Sequence, residues 1–212
     1  MQIEPTDALI VVDIQNDFCE GGALAVPRAD EIVSVVNRLM LKFPTVVLTQ
    51  DWHPVDHRSF AVHHDKEPFS TTEMHYGQQV LWPTHCVQDT WGSQFHELLA
   101  LTAADLILRK GTNSVVDSYS AFRENDKTTK TGLSGYLIER GVERVFLTGL
   151  ALDFCVGYSA VDAVLSEFNA VVIEDACRAI DLHGSLRSMM DQLKRHQIPL
   201  IQSTSLADLR TG

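Results

Sequence analysis

The chain has no apolar run of membrane-spanning length, and it is short of positive charge. Its 17 Lys and Arg stand against 28 Asp and Glu, a formal net charge of −11. The first absence excludes a spanning helix. The second argues against nucleic acid or an anionic membrane surface as partner, because both are held through cationic patches. Cysteine is scarce as well: Cys19, Cys86, Cys155 and Cys177 are scattered, with no C-x-x-C pair, which fits a reduced compartment and not a disulfide framework. The segment from Met1 to Asp7 carries Glu4 and Asp7 where a signal peptide would be basic, so a cytoplasmic location is expected. The G-x-S-x-G elbow, the phosphate-binding G-x-x-x-x-G-K-[ST] loop and the G-x-G-x-x-G fingerprint are all missing. With them go the usual signals of serine hydrolases, phosphate-loop enzymes and dinucleotide-binding folds.

What is present reads as alternating strands and helices. At 212 residues, with 45% apolar and 21% charged composition, the chain suits one domain over 1–212 with a substantial core. Short apolar or β-branched runs predict strands at Ala8–Val12, Thr45–Thr49, Ala104–Leu108, Val145–Leu150, Val171–Ile173 and Pro199–Gln202. Helical spacing of Ile32, Val35, Val36, Leu39 and Phe43 predicts a helix from near Ala29, stopped by Pro44. Further helices are expected at Leu133–Arg140, Cys155–Phe168 and Leu186–Arg195. This rhythm implies a three-layer α/β sandwich, its central sheet mostly parallel and flanked by helices. The stretch from Trp52 to Thr90 has no clean period and is too long for an ordinary connection, which favours a functional loop.

Seven of the nine histidines (His53, His57, His63, His64, His75, His85, His96) fall between positions 53 and 96. Asp51 and His53 close a strand-like run two residues apart, so their side chains share a face. One more imidazole from a distant loop, such as His85, would complete a two-His, one-carboxylate metal site with open positions. A polar loop whose histidines merely hydrogen-bond is the competing explanation. In open parallel sheets ligands bind beyond the carboxyl ends of the strands, where Asp13, Asp51, Lys110 and Cys155 all fall. Each has a plainer alternative, as a turn or cap residue, a solvated loop charge or a core thiol. Cys155 follows a strand through a short turn and opens a helix, whose N-terminal partial charge favours thiolate. Gly149 supplies backbone freedom beside it. Cys177, just past another expected strand end, is a rival nucleophile.

The residues resemble the bacterial nicotinamidases, within the cysteine-hydrolase superfamily that includes isochorismatase. Asp13-Ile14-Gln15-Asn16-Asp17-Phe18 with Gly21 to Pro27, Gln50 to Pro54, Trp82 to Val87, Lys110-Gly111, Asp117 to Phe122 and Gly149 to Val156 are similar to that family's blocks, in the same order. The resemblance runs from Asp13 to about Arg178; Arg109 and Leu152 depart from the common pattern without removing a reacting group. It implies an isochorismatase-like fold and a catalytic triad of Asp13, Lys110 and Cys155, deciding against Cys177. It also implies an oxyanion hole from the N–H groups of Ala151 and Cys155, and a cis peptide between Leu150 and Ala151. Asp51, His53 and His85 become ligands of one divalent metal, with His57 or water completing the shell. Zinc fits those N/O donors, and iron or manganese share them. Phe18, Trp82 and Tyr119 become the walls of a pyridine pocket. The implied activity, in NAD salvage, is hydrolysis of nicotinamide to nicotinate and ammonia, with pyrazinamide as the analogous substrate. A sister amidase acting on another small amide or carbamoyl compound would need the triad but not the metal. A homodimer is compatible with this reading.

Overall fold

A computed structural model describes residues 1–207. Its strands are β1 (Asp7–Val12), β2 (Thr45–Asp51), β3 (Thr71–Met74), β4 (Gly77–Val80), β5 (Leu106–Lys110), β6 (Arg144–Leu150), β7 (Asn169–Arg178) and β8 (Leu200–Ile201). Six of these form one sheet in the order β5-β2-β1-β6-β7-β8, with every pairing parallel. The helices are α1 (Val33–Met40), α2 (Leu133–Glu139), α3 (Gly157–Val164) and α4 (Ser185–Arg195).

Side-chain alternation along β1 builds the three layers. Leu9 and Val11 point into a core shared with Val33, Val36, Leu39 and Met40 of α1. Ala8, Ile10 and Val12 point into a second core with Leu133 and Leu137 of α2, Ala160 and Val161 of α3, and Met189 and Leu193 of α4. Both faces of β1 and β2 are therefore buried, which is why these strands read as unbroken apolar runs. The expected sandwich is present, with its main sheet wholly parallel. No helix among the described residues is long and apolar enough to cross a membrane.

Several boundaries differ from the sequence reading. The third strand of the main sheet begins at Leu106 and includes Lys110 as its last residue. The first helix is a 3-10 turn over Ala29–Ile32 that passes into α1. The segment ahead of α3 is a π-helical turn, Leu152–Val156, so Cys155 lies before the α-helix proper. β7 runs on to Arg178, which places Cys177 inside a strand and not past its end. A separate antiparallel hairpin, β3–β4, lies within the long stretch read as loop.

The sheet order reverses at β1: the chain builds outward to β2 and β5, then returns to add β6 on the other side. Ligand sites in open α/β sheets form at such a switch, beyond the carboxyl ends of the strands.

Candidate active site

Three strand ends deliver the charged centre. Asp13 follows β1 with a left-handed backbone, φ +48°. The parallel register of β2 with β5 sets Asp51 beside Lys110. The turn after β6 brings Cys155 over them, and Gly149 makes this approach feasible, since at its φ of +113° a Cβ would stand 2.1 Å from Val12 O. The Leu150–Ala151 peptide is cis. Lys110 Nζ lies 2.8 Å from Asp13 Oδ2, and it donates to Asp51 Oδ1 at 2.5 Å, Ser118 O at 2.9 Å and Cys155 Sγ at 3.5 Å. Asp13, Asp51 and Cys155 present ligating atoms within 4.8 Å of one another. Thr49 Oγ1 donates to Asp13 Oδ1 at 2.6 Å, whereas Asp13 Oδ2 is held by the Lys110 ammonium alone and keeps a lone pair for a proton.

Burial and charge divide the protons among these groups. Burial would lower Lys110, but Asp13 and Asp51 outweigh it and hold the ammonium charged well above its ordinary value. Burial pushes Asp13 up, Lys110 pulls it partly back, and the charge of Asp51 adds to the rise. Asp51, equally buried, is held below the ordinary carboxylate range because Lys110 and His53 prevail. Burial also drives the Cys155 thiol well above its usual value; Lys110 opposes this and Asp13 adds to it. The expected lowering of this thiol by a helix N-terminus is thus not what the resting site displays. Its sulfur is a protonated thiol beside a carboxylate able to accept the proton.

The second cluster adjoins the first. His53 pairs with the segment after His85, through His53 N to Cys86 O at 3.0 Å and Gln88 N to His53 O at 2.9 Å. The His53 and His85 rings come within 5.0 Å, centroid to centroid, and those of His53 and His57 within 4.2 Å. Asp51, His53 and His85 place their ligating atoms within 4.8 Å of one another. His53 Nδ1 is engaged by Gly111 O at 2.8 Å and His85 Nδ1 by Pro83 O at 2.8 Å. In each ring a bonded Nδ1–H leaves the Nε2 lone pair free, the usual arrangement behind a metal ligand. His53 Nε2 is buried without a hydrogen-bond partner, and 3.6 Å separates it from Asp51 Oδ2, too far for a hydrogen bond. His57 Nε2 is buried and unpartnered too, with Nδ1 at 2.7 Å from Ser59 Oγ. Burial, reinforced by the neighbouring His53 imidazole, lowers His57 and His85 to about 4, so both are neutral at neutral pH, as ligands must be. In His53 burial is outweighed by Asp51, which raises it. These donors fit a divalent cation.

Against both clusters lies a slot of about 340 Å³ of empty space, mouth included, in which Cys155, Ala151, Asp51 and His85 meet aromatic walls. Phe18, Trp82 and Tyr119 line it, and Phe154 packs edge-on against Trp82 at 4.9 Å and Tyr119 at 5.5 Å. Asp13, Lys110, Cys155, Asp51, His53, His57 and His85 gather around this slot, whereas the rival thiol Cys177 does not. That thiol donates to Ile173 O at 3.2 Å inside β7, and burial raises it to about 12.

Matching the chain against protein families finds the isochorismatase domain over residues 7–204. The chain belongs to the isochorismatase family. A nicotinamidase of Acinetobacter baylyi is 50% identical over 200 residues, covering 94% of each chain. The solved structure of a nicotinamidase/pyrazinamidase from Acinetobacter baumannii superposes with a TM-score of 0.94 at 52% identity, covering 95% of this chain and 98% of that one. The pyrazinamidase of Pyrococcus horikoshii in complex with zinc superposes with a TM-score of 0.75 at 34% identity, covering 93% and 99%. On these likenesses the protein is a hydrolase of that family.

Several supporting residues escaped the sequence reading. Gln15 holds the backbone of Asp51 at both ends, accepting from its N–H at 2.7 Å and donating to its carbonyl at 2.8 Å. Asp17 accepts from Cys86 N at 2.7 Å and Ala23 N at 3.1 Å, tying the Phe18 loop to the His85 loop. Asp117 lines the slot and accepts from Gln79 Nε2 at 2.7 Å. Gln15, Asp17 and Asp117 all lie in the blocks that carry the family resemblance, and that membership is the one signal of them in the sequence.

Proposed function

We propose that this protein is a cysteine amidohydrolase that converts nicotinamide to nicotinate and ammonia, serving NAD salvage in the cytoplasm and accepting pyrazinamide as an analogue. The observation that carries this reading is an aromatic slot lined by Cys155, Asp51 and His85, with Lys110 and Asp13 in contact with Cys155 and His53 in contact range of Asp51 and His85. The curated nicotinamidases at high identity support the same choice.

Asp13 takes the Cys155 proton while Lys110, 2.8 Å from Asp13 Oδ2 and 3.5 Å from Cys155 Sγ, stabilises the thiolate that results. The thiolate attacks the carboxamide carbon, and the carbonyl π pair moves to oxygen. The backbone N–H groups of Ala151 and Cys155 receive that oxyanion, a role in which one donor is typically worth about 3 kcal/mol of barrier. Asp13 returns its proton to the nitrogen, the C–N bond breaks, ammonia leaves and a Cys155 thioester remains. Asp13 then takes a proton from water as the water oxygen adds to the thioester. Collapse frees nicotinate and restores the thiol, so Asp13 alternates as base and acid.

Asp51, His53 and His85 would hold one divalent ion, with His57 or water completing the shell; zinc suits the donors, and iron or manganese share them. When bound, the ion would supply a Lewis-acidic position for the ring nitrogen, fixing the carboxamide opposite Cys155. Phe18, Trp82 and Tyr119 would clamp the flat ring.

Nicotinamide turnover measured before and after chelation tests this reading. Hydrolysis that falls on chelation and returns with added zinc is expected. Failure to hydrolyse nicotinamide, with turnover of a linear carbamoyl compound instead, would replace it with the sister-amidase reading.

A further inference from the structure

A second group of metal-ligating side chains lies outside this slot. Cys19 comes from the loop after β1, Asp30 from the turn ahead of α1 and His96 from the segment before β5, and their ligating atoms lie within 4.8 Å of one another. All three line a separate cavity of about 870 Å³, mouth included, which Glu20 and Glu97 also line. Cys19 is 2% exposed, and among the described residues its sulfur makes no hydrogen bond. His96 Nε2 stands 3.1 Å from Asp30 Oδ1, and Glu20 N donates to Asp30 Oδ2 at 3.0 Å. Each carboxylate oxygen keeps lone pairs beyond these contacts.

We propose that Cys19, Asp30 and His96 form a second cation site, selective for a borderline divalent ion of the zinc class. The donor set carries the inference. One thiolate, one imidazole and one carboxylate suit zinc or cobalt far better than magnesium or calcium, which take oxygen ligands. The three converge from three separate chain segments, and a buried thiol without a hydrogen-bond partner faces a polar cavity. Glu20 or Glu97 offers a fourth ligand from the cavity wall.

Binding would exchange the thiol proton for the ion, and the proton would leave through the open cavity. Ligation through His96 Nε2 would move the ring proton to Nδ1 and give up the 3.2 Å contact that Leu98 N–H makes there. The site would also act on the slot at short range. Cys19 adjoins Phe18, and Leu24, at the far end of the same loop, is a second wall of the slot. An ion at Cys19 would pin this loop to the segment bearing His96.

Cobalt(II) titration of the intact protein separates the two sites, because a thiolate ligand gives a near-ultraviolet sulfur-to-cobalt charge-transfer band that an Asp/His/His set cannot give. Cys155→Ser serves as the background, removing the other thiol that lies among carboxylates. The band should appear on this background with a second equivalent of cobalt and vanish in Cys19→Ser. In His96→Ala cobalt affinity at this site should fall about tenfold or more. A saturating titration without the band, or a band that survives Cys19→Ser, overturns the proposal. Should Cys19→Ser fail to fold, unchanged band intensity and affinity in the surface-accessible variant His96→Ala overturns it equally.

Discussion

Lys110 donates to Asp51 across 2.5 Å while its Nζ lies 2.8 Å from Asp13, so one buried ammonium joins the carboxylate beside the thiol to the carboxylate beside the histidines. Removing it leaves two buried carboxylates facing each other without a countercharge. Breaking a buried pair from one side typically costs about 3–5 kcal/mol. Lys110→Met is expected to lose that much in urea unfolding, along with its activity and much of its metal affinity. A variant that is merely slow, with wild-type stability and metal content, would show that the two clusters are independent.

Thr49 tunes the proposed base. Burial raises Asp13, and the hydrogen bond from Thr49 Oγ1 is one of the contacts that hold it down. A bond to a charged acceptor is worth about 1.5–3 kcal/mol, and one pH unit is about 1.4 kcal/mol. The carboxylate is the active form of the base, so activity is lost as pH falls through the Asp13 pKa, which lies above the ordinary 3.8. Thr49→Val removes stabilisation of that carboxylate, raises the pKa and should move the acid limb of kcat/KM upward by about one pH unit. Thr49→Ser should restore it. An acid limb that stays in place in Thr49→Val would remove Asp13 from the role of base.

Gly111 supports His53. Its carbonyl accepts from the ring, and a Cβ at this position would lie 2.4 Å from His53 Cε1 on a backbone with φ +65°. Gly111→Ala should turn the imidazole and weaken metal binding by about 10–100-fold, the range for disturbed outer partners of a ligand. Competition with a chromophoric chelator reads this directly. Unchanged affinity would mean that the ion is held without His53.

Much of this site was legible because its chemistry sits at strand ends, and the strands that matter most are buried on both faces. Ala8–Val12, Thr45–Thr49 and Val145–Leu150 are continuous apolar or β-branched runs, and each falls within an observed strand. Glu174 and Asp175 interrupt the apolar run of β7, so in the sequence the strand ends early and Cys177 resembles a strand-end thiol. The β3–β4 hairpin, Thr-Thr-Glu-Met against Gly-Gln-Gln-Val, has no apolar alternation to announce it. Gln15 and Thr49 act through contacts 36 residues distant in sequence, which no local pattern encodes.

Ring-nitrogen recognition separates this account from a generic amidase. Benzamide keeps the carboxamide and the flat ring but lacks the nitrogen that an ion held by Asp51, His53 and His85 would position. It should turn over much more slowly than nicotinamide, and chelation should change that slow rate little. Comparable rates for the two amides, equally sensitive to chelation, would assign the metal cluster a structural role.

The covalent intermediate is the central claim, and acid quenching during nicotinamide turnover, followed by intact-mass and peptide analysis, tests it most directly. The account predicts a nicotinoyl mass increment on the peptide bearing Cys155, absent in Cys155→Ala, while that variant still binds nicotinamide. An increment on Cys177, or full turnover by Cys155→Ala, would contradict it.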